Sequence, residues 1–211
     1  MTQDNQKNSH YFTAAPAGNA SRHRFTVAGP HGDLIIEGAS GVFSQHGLDK
    51  GTGVLLDTMR KRDINAPVAG SALCDVGCGS GVIAITLAAL YPQCTVYAVD
   101  VNERARALCA DNARANKLTN IVVCSPDDID PNVRFARIWS NPPIRIGKDA
   151  LHELLNTWLD RLNADGAAHL VVSKNLGADS LQQWMESHHF SVERLGSSKG
   201  FRVFEVTPPQ A

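Results

Sequence analysis

The chain of 211 residues has room for one domain with an elaboration, and is long enough to bury a full core. Its 43% hydrophobic and 19% charged content is ordinary for a soluble globular protein, and no apolar run approaches the roughly 20 residues that span a bilayer. The net charge of −1 is evenly spread, with seven Lys/Arg against six Asp/Glu up to Gly70 and thirteen against fifteen beyond it. That balance argues against avid non-specific nucleic-acid binding and leaves only a local basic patch open.

Residues 1–20 are polar and small, without the apolar core of a signal peptide, and read as a flexible arm. Residues 21–70 read as an N-terminal extension. In it, Arg24–Ala28 and Asp33–Glu37 flank Gly29-Pro30-His31-Gly32, the pattern of a hairpin with a four-residue turn. Arg22, His23 and Arg24 are either a phosphate-contacting patch or a solvated edge strand. Gly41-Val42-Phe43-Ser44 and Gly47-Leu48-Asp49-Lys50-Gly51-Thr52 lead into a helix expected over Gly53–Arg62, whose closing Arg60-Lys61-Arg62 suits the negative end of the helix dipole. Ile64–Gly70 reads as the link to the main domain, residues 71–211.

That domain opens on Ala72-Leu73-Cys74-Asp75-Val76-Gly77-Cys78-Gly79-Ser80-Gly81, a short apolar strand entering a turn with glycines at 77, 79 and 81. The glycines let the backbone turn sharply and let a ligand approach the main chain. Val82–Leu90 then reads as a helix ended by Tyr91-Pro92. Asp100 closes the next strand-like run, Thr95–Val99, 19 positions after Gly81, where a ribose-binding acid sits in open α/β sheets. The spacing is Gly-x-Gly-x-Gly, not the G-x-G-x-x-G of dinucleotide binders. Asp75 just before it would repel a pyrophosphate and accept hydrogen bonds from an ammonium group. The pattern therefore favours a cationic, phosphate-free nucleoside such as S-adenosylmethionine over NAD.

A helix is expected from Asn102 to Lys117, then a strand at Ile121–Cys124, an acidic loop at Ser125–Asp130, and a strand at Phe135–Ser140. The last runs into Asn141-Pro142-Pro143-Ile144. Two prolines at a strand end fix the backbone and delete two N–H donors. The acceptors left, the Asn141 side-chain oxygen and the Pro142 carbonyl, match the two N–H bonds of a planar amine or amide. Accepting those protons aims the nitrogen lone pair at an electrophile, so catalysis is alignment and electrostatics. Further on come a helix over Asp149–Leu162 with an apolar stripe through Trp158, a strand at Ala168–Val172 and a helix over Asp179–Ser187. The strands Phe190–Leu195 and Phe201–Val206 flank a Gly196–Gly200 turn and make an antiparallel pair. The five cysteines, 74, 78, 94, 109 and 124, form no C-x-x-C pair and read as free thiols in a reducing cytosol. No metal-ligand pattern is complete.

The glycine turn resembles motif I of class I S-adenosylmethionine-dependent methyltransferases, and Asn141–Ile144 resembles the (D/N)-P-P-(Y/F/I) motif of amino-group methyltransferases. Together with Phe43-Ser44, the Gly47–Thr52 run and Ser140–Lys148, these segments look like the methyltransferase small domain family over roughly residues 25–206. Within it lie the small-subunit ribosomal RNA guanine-N2 methyltransferases and shorter single-domain relatives. The resemblance implies a Rossmann-like seven-stranded sheet with an antiparallel last strand and a small N-terminal hairpin and helix extension. It implies a cytoplasmic enzyme that uses S-adenosylmethionine to methylate a guanine exocyclic amine in ribosomal RNA or the small ribosomal subunit. Carried over by position, Gly77, Gly79 and Gly81 line the methionine moiety with Asp75 nearby. Asp100 holds the ribose hydroxyls, Asp127 takes the adenine side, and Asn141, Pro142, Pro143 and Ile144 form the catalytic segment. Ile144 stands where Tyr or Phe commonly stacks on a flipped base. The larger members carry a duplicated N-terminal half for which 211 residues leave no room. Arg145, Lys148, Lys199 and Arg202 are candidates for phosphate contacts. Two alternatives remain open: methylation of a protein glutamine amide, and a non-catalytic cofactor-binding module for ribosome assembly.

Overall fold

The computed structural model describes residues 22–43, 47–62 and 66–209. The arm expected at 1–20, Ser44 and most of the start of the expected link lie outside the described residues. A two-stranded hairpin, β1 (Arg22–Gly29) and β2 (Gly32–Ala39), precedes helix α1 (Lys50–Lys61). The main sheet is built from β3 (Ala72–Val76), β4 (Thr95–Val99), β5 (Ile121–Cys124), β6 (Phe135–Ser140), β7 (Leu162–Ser173), β8 (Ser191–Ser198) and β9 (Phe201–Thr207). Between its strands run α2 (Val82–Leu90), α3 (Glu103–Ala115), α4 (Lys148–Leu159) and α5 (Ala178–Ser187).

The seven strands lie in the order β5-β4-β3-β6-β7-β9-β8. The pairs β3–β4, β4–β5, β3–β6 and β6–β7 are parallel, and β9 runs antiparallel to both β7 and β8. From β3 the chain grows outward to β5, then returns to place β6 on the other side of β3. The order therefore reverses between β3 and β6, the crevice where ligands bind in open α/β sheets. The glycine turn follows β3 and Asn-Pro-Pro follows β6, so the topology sets the two motifs side by side.

Alternate strand residues divide between two cores, as the pleat requires. Leu73, Val96, Trp139, Val171 and Val203 pack with α1, α2 and the hairpin. Cys74, Val99, Ile138, Val172 and Phe204 pack with α4 and α5. Helix α2 is buried from Val82 through Ala88, which accounts for its apolar composition on every side. All five cysteines are buried free thiols.

Several boundaries differ from the sequence reading. Helix α1 starts at Lys50, not Gly53, because the Asp49 carboxylate caps it by accepting from the Thr52 N–H at 3.0 Å. Helix α4 stops at Leu159, and Leu162 begins β7, which runs to Ser173 with a register shift opposite Phe135–Arg137. The first hairpin turns on Pro30-His31 alone, since Gly29 and Gly32 still pair. The second turns on Lys199-Gly200, both at positive φ (49° and 84°), the two-residue form that suits strand twist. Its ladder continues through Gly196–Ser198 past an irregularity at Leu195.

Candidate active site

A cleft of about 710 Å³ opens where the topology predicts, lined by Gly77, Gly79, Asp100 and Asn141–Ile144 among others. The turn after β3 is held by β4: the N–H groups of Gly77 and Cys78 both donate to the Val99 carbonyl, at 2.8 and 3.0 Å. Gly79 N–H donates to Asp100 Oδ2 at 2.9 Å, and Gly81 N–H to the Cys78 carbonyl at 2.8 Å. Gly79 has φ +54°, and Gly81 has φ +86° with a Cβ there falling 2.5 Å from Cys109 Sγ. Any side chain at 81 collides with α3, so this glycine is set by packing. It faces Cys109, away from the cleft.

With these N–H groups spent inside the protein, the turn offers little to a phosphate. Asp75 completes the effect. Its Oδ2 accepts from Ala84 N–H in the first turn of α2 at 2.9 Å, the place an anion takes at a helix N-terminus. The residue is fully buried, Oδ1 has no hydrogen-bond partner among the described residues, and it lies beneath the turn rather than on the cleft lining. Burial pushes its carboxyl up to about 8, partly opposed by the Ala84 bond, with Asp100 nearby adding to the rise.

Asp100 does line the cleft. Besides Gly79 it accepts from Asn102 N–H at 2.9 Å, so two backbone donors fix its carboxylate and leave lone pairs for a ligand. After β5 the acids separate. Asp128 closes a capping box with Ser125, Pro126 reaches the cleft, and Asp127 is exposed and off its lining. The adenine-side position expected at Asp127 is thus represented at the cleft by Pro126. Together the cleft fits S-adenosylmethionine better than a dinucleotide: fixed carboxylate acceptors, an open glycine face at Gly77, and the N–H groups of Gly77, Cys78, Gly79 and Gly81 bonded within the protein.

Across the cleft, Asn141 Nδ2 donates to Asp49 Oδ2 at 2.9 Å and to Thr52 Oγ1 at 3.1 Å. The Pro142 carbonyl already accepts from Ile144 N–H at 2.8 Å, around Pro143 at φ −75° and ψ 72°, an inverse γ-turn. One of the two expected acceptors is therefore half occupied, and Asn141 Oδ1 is the more available. Ile144 and Arg145 lie on the lining. Sequence reasoning missed Asp49, Thr52 and Phe201 as neighbours of this segment. A Cβ on Gly51 would lie 2.9 Å from the Phe201 ring and 3.2 Å from Asn141 Nδ2, which sets that ring beside the amide. The N-cap pattern at Asp49 was readable; its distant partner was not.

The basic candidates divide. Arg202 is largely buried and pairs with Asp179. Arg22 and Arg24 bind Glu37 at 3.1 and 3.0 Å. Arg60 donates to the Ala28 carbonyl and Arg62 to the Leu195 carbonyl, so the end of α1 ties the hairpin and β8 to the core. Arg145, Lys148 and Lys199 are exposed.

Residues 33–205 match the model of the methyltransferase small domain family. An uncharacterized protein of Bacillus subtilis, YbxB, is 30% identical over 200 residues, covering 93% of this chain and 97% of its own. Ribosomal RNA small subunit methyltransferase C of Erwinia tasmaniensis is 32% identical over 186 residues, 86% of this chain and 52% of its own. The chain thus spans about half the length of relatives of that name. Among solved structures, the T. thermophilus 16S rRNA N2 G1207 methyltransferase RsmC, in complex with AdoMet and guanosine, superposes with a TM-score of 0.73 at 21% identity. That match covers 92% of this chain and 52% of the other, and a likeness at this identity concerns the fold.

Proposed function

The chain belongs to the methyltransferase small domain family, and on that footing we propose that it is an S-adenosylmethionine-dependent N-methyltransferase of guanine N2 in small-subunit ribosomal RNA. The observation that carries the reading is the placement of Asn141 on the cleft lining with the glycine turn, its amide nitrogen held by Asp49 and Thr52. When bound, the cofactor supplies a methyl group already activated by its sulfonium. Asp100 holds the nucleoside end, and the Gly77–Gly79 face takes the methionine end above buried Asp75. Asn141 Oδ1 and the remaining lone pair of the Pro142 carbonyl accept the two amine protons, turning the nitrogen lone pair into the cleft. The residues orient and stabilise; the rate comes from alignment.

The ribosomal RNA substrate is supported by the named relatives at about 30% identity and by exposed Arg145 on the cleft rim, with Lys148 three positions on. An enzyme with this substrate works in the cytoplasm. Among the described residues no helix is long and apolar enough to cross a membrane. The test is Asn141→Ala. Its S-adenosylmethionine affinity should stay near wild type, while methyl transfer to small ribosomal subunits falls on the order of 100-fold or more. A variant that binds and turns over as wild type would remove Asn141 from catalysis.

A further inference from the structure

We propose that Asp49 and Thr52 are positioning residues for methyl transfer. They take both protons of the Asn141 side-chain amide, so that its oxygen is the atom presented to the acceptor nitrogen. The proposal rests on the reading of Asn141 given above. A free asparagine side chain can offer either its oxygen or its NH2 by turning about its last torsion, and the NH2 would confront an amine with donors. Here the choice is forced. A carboxylate only accepts, so the amide group 2.9 Å from Asp49 Oδ2 must be the nitrogen. The second amide proton goes to Thr52 Oγ1 at 3.1 Å. No donor among the described residues reaches Oδ1.

The two acceptors are themselves fixed. Asp49 is the cap of α1, with the same Oδ2 accepting from Thr52 N–H at 3.0 Å, and Thr52 is 3% exposed in the first turn. Val54, Leu55, Leu56 and Met59 anchor the helix in the core. The start of α1 is therefore a rigid bracket that reaches 92 positions along the chain to hold Asn141. The bracket also acts on electron density. A negatively charged acceptor on the amide N–H draws that group's resonance toward the form with more charge on oxygen, making Oδ1 the better acceptor.

The experiment separates turnover from binding in Asp49→Asn, Asp49→Ala, Thr52→Val and Thr52→Ser. Methyl-labelled S-adenosylmethionine and small ribosomal subunits lacking the modification serve as probes, and calorimetry gives cofactor affinity. The Asn141 side-chain NH2 is followed by nitrogen-15 NMR. Asp49→Ala should lower kcat on the order of 100-fold and Thr52→Val about 10-fold, with cofactor affinity changed less than about threefold. Thr52→Ser, which keeps the hydroxyl, should recover most of what Thr52→Val loses. The Asn141 NH2 protons should exchange faster with solvent in Asp49→Ala. Should Asp49→Ala fail to fold for want of its cap, Asp49→Asn keeps a good N-cap residue and carries the same test for the charge. Unchanged kcat in Asp49→Asn and Thr52→Val, or losses of kcat matched by equal losses of cofactor affinity and melting temperature, would overturn the proposal. Unchanged NH2 exchange in Asp49→Ala would overturn it too. Failure of the underlying reading looks different: the wild-type protein transfers no methyl group, and the exchange of the Asn141 NH2 alone decides its placement.

Discussion

Asp75 carries a local cost, a fully buried carboxyl with one oxygen that has no hydrogen-bond partner among the described residues. Its carboxyl is pushed up from 3.8 to about 8, chiefly by burial. A raised carboxyl means that the folded state holds a proton the unfolded chain has released. Its contribution is fully present below about pH 4 and is lost as pH rises toward 8. Asp75→Asn mimics the protonated form, so urea unfolding of the variant should lose less stability than wild type between pH 5 and 8. Equal slopes in that range would mean that Asp75 is ionised in the fold. His169 works the other way. Buried beside Trp139 and bonded to Glu205 at 2.9 Å, it is pushed down by desolvation. Its share is present above its ordinary value of 6.5 and lost as pH falls below it. At Asp100 two features coincide, since the carboxylate on the cleft lining also holds Gly79. Asp100→Ala should weaken S-adenosylmethionine binding on the order of 100-fold in calorimetry, as expected for losing charged hydrogen bonds. Unchanged affinity would remove the residue from the site.

At the scale of elements, what was legible in the sequence was local. The glycine turn, the Asn-Pro-Pro corner and the closing hairpin each declare themselves within about ten residues, and the structure keeps those elements with shifted ends. Contacts made across long stretches of chain were not legible. Asn112 on α3 accepts from Glu37 N–H at 2.9 Å and donates to the Glu37 and Ser80 carbonyls, both at 2.9 Å. Asn116, one turn on, does the same for Ile35. The two amides act as a short substitute strand along the edge of β2, docking the hairpin 75 positions away. In sequence they look like ordinary polar helix residues. Asn112→Ala should cost about 2–3 kcal/mol by leaving buried backbone groups unpaired, measured by chemical denaturation. A cost below about 0.5 kcal/mol would mean that water replaces the amide. Gly51 lies in the first turn of α1, before the start expected at Gly53, although glycine is a poor helix former. The structure gives it another task, clearance beneath Phe201 and Asn141. Gly51→Ala should improve the helix by about 1 kcal/mol in isolation yet reduce turnover several-fold by displacing the amide. Full activity in that variant would show that the clearance is not needed.

At the scale of the molecule, the reversal of strand order between β3 and β6 creates the cleft, and both motifs stand at its lip. The hairpin and α1 share one core with α2, so the segment before the main sheet is part of the machinery that shapes the site. The net charge of −1 argues against avid, non-specific binding of RNA. The most direct measurement incubates the protein with methyl-labelled S-adenosylmethionine and small ribosomal subunits from cells lacking it, then digests the product. Label released by ribonuclease and recovered as N2-methylguanine is the expected result. Label released only by protease would contradict it and move the activity to a protein amide, and no label despite tight cofactor binding would leave a cofactor-binding module in place of the enzyme.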